Sequence, residues 1–176
     1  MRLKRKKNFL SPRAILNPGD EVICPEPCYV SYLPCVTFAG GVPVGLPTTE
    51  ETAFRVQPEQ IRAAITSKTK AVLISYPSNP TGAPAARELL QEIVQIAVEN
   101  DLYIITDEIY DRLTYDSQHT CLPTLPGAYE RTILLNGFSK AYAMTGWRIG
   151  YAAGSPEVIE AMMKIHQYTM LCAPIM

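Results

Sequence analysis

The feature that most restricts the fold is a strand–helix–strand pattern between residues 71 and 106. A strand is predicted at residues 71–75, whose first four residues form a continuous apolar run that is typical of a strand buried on both faces. Apolar side chains then recur at helical spacing from residue 84 to residue 100. A second strand is predicted at residues 102–106. Because a crossover of this length joins parallel strands, the pattern predicts a parallel sheet.

Turn formers and shorter apolar runs predict further elements on both sides of this unit. Asn17-Pro18-Gly19-Asp20 suits a type II turn, and Ser155-Pro156 suits the start of a helix. The other expected elements are a strand at 21–24, a brief helix and a strand within 26–47, a helix at 57–67 and a strand at 132–135. The predicted fold class is therefore α/β, with a largely parallel sheet flanked by helices.

Composition argues against several classes of function. The 176 residues are 19% charged with a net charge of −1, so we expect neither nucleic acid nor a membrane surface as a partner. The apolar stretches are too short to span a bilayer, and no apolar secretory segment follows the basic start. The five cysteines form no CxxC pair, and His119 and His166 are isolated in the sequence. We therefore expect that the chain has no metal site. The two histidines are expected to be structural or exposed, and the cysteines to be reduced thiols in a cytoplasm.

The first seven residues, MRLKRKK, carry five basic side chains. Runs of this kind occur in nucleic-acid contacts and in targeting signals. They also arise often without either function. We interpret residues 1–13 as a solvated basic tail of uncertain origin.

Polar side chains follow three of the predicted strands. Asn79 follows the first strand, Asp107 follows the second with Tyr110 three residues later, and Lys140 follows the third. Each residue alone is more often a turn cap, a packing residue or a surface lysine. Ligands of open α/β sheets bind outside the carboxyl ends of the strands, however, so an amide, a carboxylate, a phenol and an ammonium are expected to face one crevice.

Three ordered motifs resemble those of class I aminotransferases of fold type I. They are YPSNPTG at residues 76–82, DEIY at residues 107–110 and GFSKAYAMTGWRIG at residues 137–150. The resemblance covers roughly residues 14–176. It implies the cofactor-binding large domain of a pyridoxal-phosphate-dependent enzyme, and the TGWR sequence at 145–148 resembles the aspartate and aromatic branch.

The resemblance also implies a role for each site residue. Lys140 would form the Schiff base with pyridoxal 5′-phosphate and then carry the proton to and from the substrate carbon. Asp107 would keep the pyridine nitrogen protonated, so that the ring acts as an electron sink. The remaining implied roles are hydrogen bonds to the phenolic oxygen of the ring from Tyr110 and Asn79, phosphate binding by Arg148 and ring stacking by Tyr29.

Two X–Pro bonds are expected to be cis because of the same resemblance. They are Glu26-Pro27, which ends two residues before Tyr29, and Asn79-Pro80, which includes Asn79. The cis form is a minority state, at ~5% of X–Pro bonds in folded proteins.

Members of this family are considerably longer than this chain. The glycine-rich and alanine-rich helix start that holds the cofactor phosphate is expected before residue 17, and the small domain with its carboxylate-binding arginine after residue 176. We therefore expect a fragment truncated at both ends, with residues 14–176 as a partial large domain. Since substrate orientation is worth ~7–11 kcal/mol of the reaction barrier, the isolated chain is expected to be nearly inactive. The resemblance also implies that the full-length parent is a homodimer.

The implied function is transfer of an amino group from an L-amino acid to a 2-oxo acid. Three alternatives stay open at this point. The same cofactor serves β-lyases and synthases of this fold. Some transcriptional regulators carry a ligand-sensing domain of this type, although no helix-turn-helix pattern precedes residue 17. A decayed remnant is the third, and the presence of Asp107, Tyr110, Lys140 and Arg148 argues against it.

Overall fold

The computed structural model describes residues 6–169. Within this range there are five α-helices, α1 Lys6–Ile15, α2 Tyr32–Phe38, α3 Pro58–Ala64, α4 Arg87–Glu99 and α5 Pro156–Thr169. The same range contains six strands, β1 Glu21–Glu26, β2 Val42–Pro47, β3 Thr69–Ile74, β4 Tyr103–Asp107, β5 Thr132–Gly137 and β6 Gly150–Ala153.

The six strands form one sheet in the order β2-β1-β3-β4-β5-β6. The first five strands pair in parallel. Strand β6 pairs antiparallel to β5, with Gly137 opposite Gly150. The predicted α/β class with a largely parallel sheet is confirmed.

Two apolar cores cover the two faces of the sheet. Val72 and Ile104 pack on one face with α3 and α4, whereas Ala71 and Ile105 pack on the other with α1, α2 and α5. Successive strand residues point to opposite faces, so a strand covered on both sides must be apolar at every position. This requirement explains the continuous apolar run at the end of β3, where each fully buried Ile or Leu contributes ~1.5–3 kcal/mol.

The amino-terminal segment differs from the solvated tail that its charges indicated. Residues 6–13 belong to helix α1, in which Leu10 is 6% exposed and Ser11 is fully buried. The helix forms despite Pro12 in its interior because its apolar side chains join the core that α2 and α5 share. Residues 1–5 lie outside the described part of the chain.

Strand β6 was also absent from the sequence-based prediction. Most of its residues are exposed and it lies at the edge of the sheet. Its four residues, GYAA, also lack the run of Val, Ile and Leu by which the buried strands were predicted. Its hydrogen bonds to β5 hold the segment that carries Lys140 and Arg148 between two strands.

No helix in residues 6–169 is long and apolar enough to cross a lipid bilayer. Among the same residues, no cluster of three or more His, Cys, Asp or Glu side chains is arranged to bind a metal ion.

Candidate functional site

The candidate site lies where the parallel strands β3, β4 and β5 end. These three strands are neighbours in the sheet, so their carboxyl ends meet at one edge. Asn79 lies in the loop that follows β3, and Asp107 is the last residue of β4. Tyr110 lies in the turn after β4, and Lys140 lies in the segment that follows β5.

Asp107 is a buried carboxylate with an exposed fraction of 4%. The hydroxyl of Tyr32 donates a hydrogen bond to its Oδ2 atom over 3.1 Å. The hydroxyl of Ser75 donates to its backbone carbonyl over 2.9 Å. Because a buried charge is costly unless it is hydrogen-bonded, the Tyr32 contact stabilises the carboxylate, while the Ser75 contact holds the backbone at the end of β4.

Tyr32 is a donor toward Asp107 throughout the neutral pH range. Burial, followed by the charge of Asp107, raises the pKa of Tyr32 well above its usual value. The phenol therefore keeps its proton and its hydrogen bond. A hydrogen bond from a neutral donor to a carboxylate is stronger than one between two neutral groups.

Asn79, Tyr110 and Lys140 form a second group of contacts. The side-chain amide of Asn79 donates to the hydroxyl of Tyr110 over 3.4 Å. The Nζ atom of Lys140 lies 5.5 Å from the centroid of the Tyr110 ring, within the range of a cation–π interaction. The structure thus brings together three of the side chains that the sequence predicted to share one crevice. Lys140 is exposed, so its amine can reach a ligand.

Tyr29 lies beside the same region, just before α2. Its ring packs edge-to-face on Tyr32, with the centroids 5.5 Å apart and the planes at 75°. Tyr29 is half-buried, so part of its surface stays accessible. Its contact with Tyr32 connects it to the hydroxyl that holds Asp107.

Both X–Pro bonds predicted to be cis are cis in the structure, namely Glu26-Pro27 and Asn79-Pro80. A third cis bond, Tyr76-Pro77, was not predicted.

Arg148 lies between β5 and β6 and is half-buried. Its guanidinium donates to the backbone carbonyl of Thr145, so the contact that holds it comes from its own loop rather than from Tyr110 or Lys140. Its φ angle of 57° is in the left-handed region, which costs a non-glycine residue ~1–2 kcal/mol. Its proposed contact with a phosphate therefore stays a prediction.

The sequence did not predict a role at this site for four residues, namely Tyr32, Ser75, Glu108 and His119. Tyr32 and Ser75 contact Asp107, while His119 lies 2.7 Å from the carboxylate of Glu108. The interpretation of His119 as isolated was therefore wrong, although its position in a buried contact agrees with a structural role. No local sequence signal indicates these pairs, because Tyr32 and Asp107 are 75 residues apart in the chain.

Comparison with known proteins extends the resemblance. The model of the family described as aminotransferase class I and II matches residues 7–175. The putative aminotransferase YugH of Bacillus subtilis is 52% identical over 164 residues, which are 93% of this chain and 42% of that protein. The aspartate aminotransferase of Pyrococcus abyssi is 46% identical over 160 residues, which are 90% of this chain and 41% of that protein.

Solved structures of similar proteins have the same fold. The aromatic aminotransferase from Pyrococcus horikoshii superposes with a TM-score of 0.94 at 43% identity, over 97% of this chain and 46% of that chain. The aspartate aminotransferase from Thermus thermophilus with maleate superposes with a TM-score of 0.93 at 45% identity, over 97% of this chain and 44% of that chain. This chain spans about 40% of the length of the curated relatives that it matches.

Proposed function

The chain belongs to the aminotransferase class I and II family, and on that premise we propose that its site binds pyridoxal 5′-phosphate and serves a transamination. The reaction transfers an amino group from an L-amino acid to a 2-oxo acid. The names of the relatives support this choice over a β-lyase, because they describe aspartate, aromatic and aspartate/prephenate aminotransferases. The same names make acidic and aromatic amino acids the substrate classes to test first.

The observation that carries the proposal is the grouping of Asn79, Tyr110 and Lys140 beside the buried Asp107. An ordinary surface lysine is solvated and seldom lies over a half-buried phenol. Burial of a carboxylate costs free energy unless the group is paired or hydrogen-bonded. Family membership supports the interpretation of these residues at the strand ends as a cofactor site.

The donor set suits the chemical groups of pyridoxal phosphate. The Asp107 carboxylate can accept from a protonated ring nitrogen, while the Tyr110 hydroxyl and the Asn79 amide can donate to the phenolic oxygen. The Lys140 amine can react with the aldehyde, and the Arg148 guanidinium can pair with the phosphate. When bound, the cofactor supplies an electron sink that stabilises negative charge at the substrate α-carbon.

Each side chain has a task that follows from its position. Tyr32 and Ser75 fix the end of β4, so Asp107 presents its carboxylate in one orientation. Lys140 is exposed and lies over the Tyr110 ring, where its amine can hold or move a proton at the substrate carbon. Tyr29 is proposed to cover the ring face, which its half-exposed ring at the edge of the site allows.

We further propose that residues 14–176 form part of the cofactor-binding large domain. The whole protein is proposed to be a homodimer in the cytoplasm, with no nucleic-acid or membrane partner. Free thiols at Cys24, Cys28 and Cys121 suit a reducing compartment. Val30 and Phe38, exposed by 75% and 70%, present apolar surface of the kind that subunit contacts cover.

A covalent labelling experiment tests the cofactor site directly. Binding is measured rather than turnover, because this chain spans about 40% of the length of its relatives. The chain is mixed with pyridoxal phosphate and reduced with borohydride, and the modified lysine is identified by peptide mass mapping. We expect one dominant modification at Lys140, together with a near-visible absorbance band that free cofactor lacks.

Two lysine variants provide the controls. Lys140→Ala should lose both the label and the band. Lys164→Ala removes an exposed helix lysine that pairs with Glu160 over 2.9 Å, and this variant should keep both. Equal total labelling of the parent and of Lys140→Ala would refute the proposed site.

A further inference from the structure

Glu108 is a second buried carboxylate next to the site, with an exposed fraction of 3%. Its Oε2 atom lies 2.7 Å from Nε2 of His119. Its Oε1 atom accepts from the backbone N–H of Leu122 over 3.0 Å and from the hydroxyl of Thr106 over 3.4 Å. An ionised carboxylate only accepts hydrogen bonds, and with Glu108 in that form the contact requires a hydrogen on Nε2 of His119. Hydrogen bonds of this kind offset part of the cost of burying a charge.

The contacts of Glu108 lie on the face of the sheet opposite to those of Asp107. Successive side chains of a strand point to opposite faces, and Thr106 and Glu108 share one face through their hydrogen bond. Leu122 belongs to the core on that face, whereas Tyr32, the partner of Asp107, belongs to the core on the other. The two neighbouring carboxylates are thus held from opposite sides.

The backbone between these carboxylates and Tyr110 is a hydrogen-bonded turn. The N–H of Glu108 donates to the carbonyl of Leu135 over 2.9 Å, which continues the contact between β4 and β5. The N–H of Asp111 then donates to the carbonyl of Glu108 over 3.0 Å. A displacement of the Glu108 backbone would therefore move the segment that carries both Asp107 and Tyr110.

His119 provides the anchor from a distant part of the same loop. Most side chains from Arg112 to Gln118 are exposed, and so the loop has little packing of its own. The His119 ring, 17% exposed, connects it to the buried Glu108. The Cys121 thiol is a further neighbour of Glu108. Burial and the Glu108 carboxylate raise the pKa of Cys121 to about 12, so the thiol stays neutral and can donate a hydrogen bond.

We propose that Glu108 and His119 form a positioning pair for the site. The pair fixes the turn from Asp107 to Tyr110, so that the Asp107 carboxylate and the Tyr110 hydroxyl keep the separation and direction that a bound ring requires. Neither residue contacts the ligand in this arrangement. The inference rests on the proposed function, because it takes from there the contacts of Asp107 and Tyr110 with a bound pyridoxal phosphate ring.

Two matched variants of His119 test the pair. Gln places its side-chain nitrogen at about the distance of Nε2 from the backbone, whereas Asn is one methylene shorter and falls short of Glu108. Both are neutral and polar, so they differ mainly in reach. Arg131→Ala is the control for the loss of an ion pair elsewhere in the fold. Arg131 lies just before β5, and its guanidinium pairs with Asp101 at the surface over 2.8 Å.

The first measurement is hydrogen exchange of the cofactor-free chain, followed by mass spectrometry of peptides that cover residues 107–113. We expect His119→Asn to exchange about tenfold faster in this segment, because a hydrogen bond to a charged group is lost. His119→Gln should stay close to the parent, and Arg131→Ala should leave the segment unchanged. Equal exchange in the Asn and Gln variants, or a uniform increase over the whole sheet, would overturn the proposal.

The second measurement is the dissociation constant of pyridoxal phosphate at a temperature where every variant is folded. His119→Asn should bind about tenfold more weakly than His119→Gln. Equal affinity of these two variants would refute a positioning role even if their exchange differs. If the parent chain itself fails to bind, the proposed function fails, and the exchange of the cofactor-free chain still decides whether the pair holds the turn.

Discussion

The hydroxyl of Tyr32 donates a 3.1 Å hydrogen bond to Oδ2 of Asp107, and this contact connects the first turn of α2 to the end of β4. Both residues are buried, with exposed fractions of 3% and 4%. The bond therefore holds a carboxylate at the centre of the site from a helix that belongs to another part of the chain. Glu108, the next residue, is held from the opposite face of the sheet.

Tyr32→Phe removes this donor and keeps the ring. We expect the free energy of unfolding to fall by about 1.5–3 kcal/mol, which is the range for a hydrogen bond to a charged group. Urea denaturation measures the change. Tyr168→Phe is the matched control, since Tyr168 is 87% exposed on α5 and its variant should be as stable as the parent. Equal stability of the two variants would show that the Tyr32 contact contributes nothing.

Gly137→Ala tests the close approach of β5 and β6. A Cβ atom at Gly137 would lie 3.0 Å from the Cα atom of Gly150 and 3.0 Å from the carbonyl oxygen of Ile149, both of which are backbone atoms. We expect a loss of about 1–3 kcal/mol in stability, as for other overpacked sites, and a displaced Lys140 segment. Thermal unfolding monitored by circular dichroism gives the first quantity.

Gly146→Ala is the control for that experiment within the same segment. A Cβ atom at Gly146 has nothing within 4 Å. Its effect should stay within about 0.5 kcal/mol, as for ordinary surface substitutions. A similar loss in both variants would indicate that backbone flexibility, and not the contact between β5 and β6, sets the requirement for glycine at position 137.

Cys28 makes the stability of the chain dependent on alkaline pH. Burial, followed by the charge of Glu26, raises the pKa of Cys28 from 9.0 to about 11. Between these two values the folded chain binds more protons than the unfolded chain. The contribution of the thiol is therefore fully present below pH 9.0 and is lost as the pH rises through about 11.

Urea denaturation at a series of alkaline pH values checks this dependence. Cys28→Ser lacks the titrating thiol, so its stability should decline less steeply with pH than that of the parent. Alkylation of Cys28 by iodoacetamide should keep accelerating up to about pH 11, because the thiolate is the reactive form. Parallel stability curves for the two proteins would contradict the shift.

The central elements were predictable because their signals are local. The apolar run of β3, the helical spacing of α4 and the Ser155-Pro156 start of α5 each depend on a few neighbouring residues, and the structure confirms all three elements. Helix α1 and strand β6 were not predicted. α1 depends on a shared core with α5, and β6 depends on hydrogen bonds to β5, so neither has a sufficient signal of its own.

Local sequence patterns are enough to predict the parallel sheet and the grouping of Asn79, Tyr110 and Lys140, because the carboxyl ends of neighbouring parallel strands meet at one edge. The partners that hold the buried carboxylates follow from the packed fold instead. Tyr32 and Asp107 are 75 residues apart, and Glu108 receives hydrogen bonds from residues 11 and 14 positions away. A buried charge requires donors in defined positions, and folding brings those donors from parts of the chain whose local sequence carries no sign of the contact.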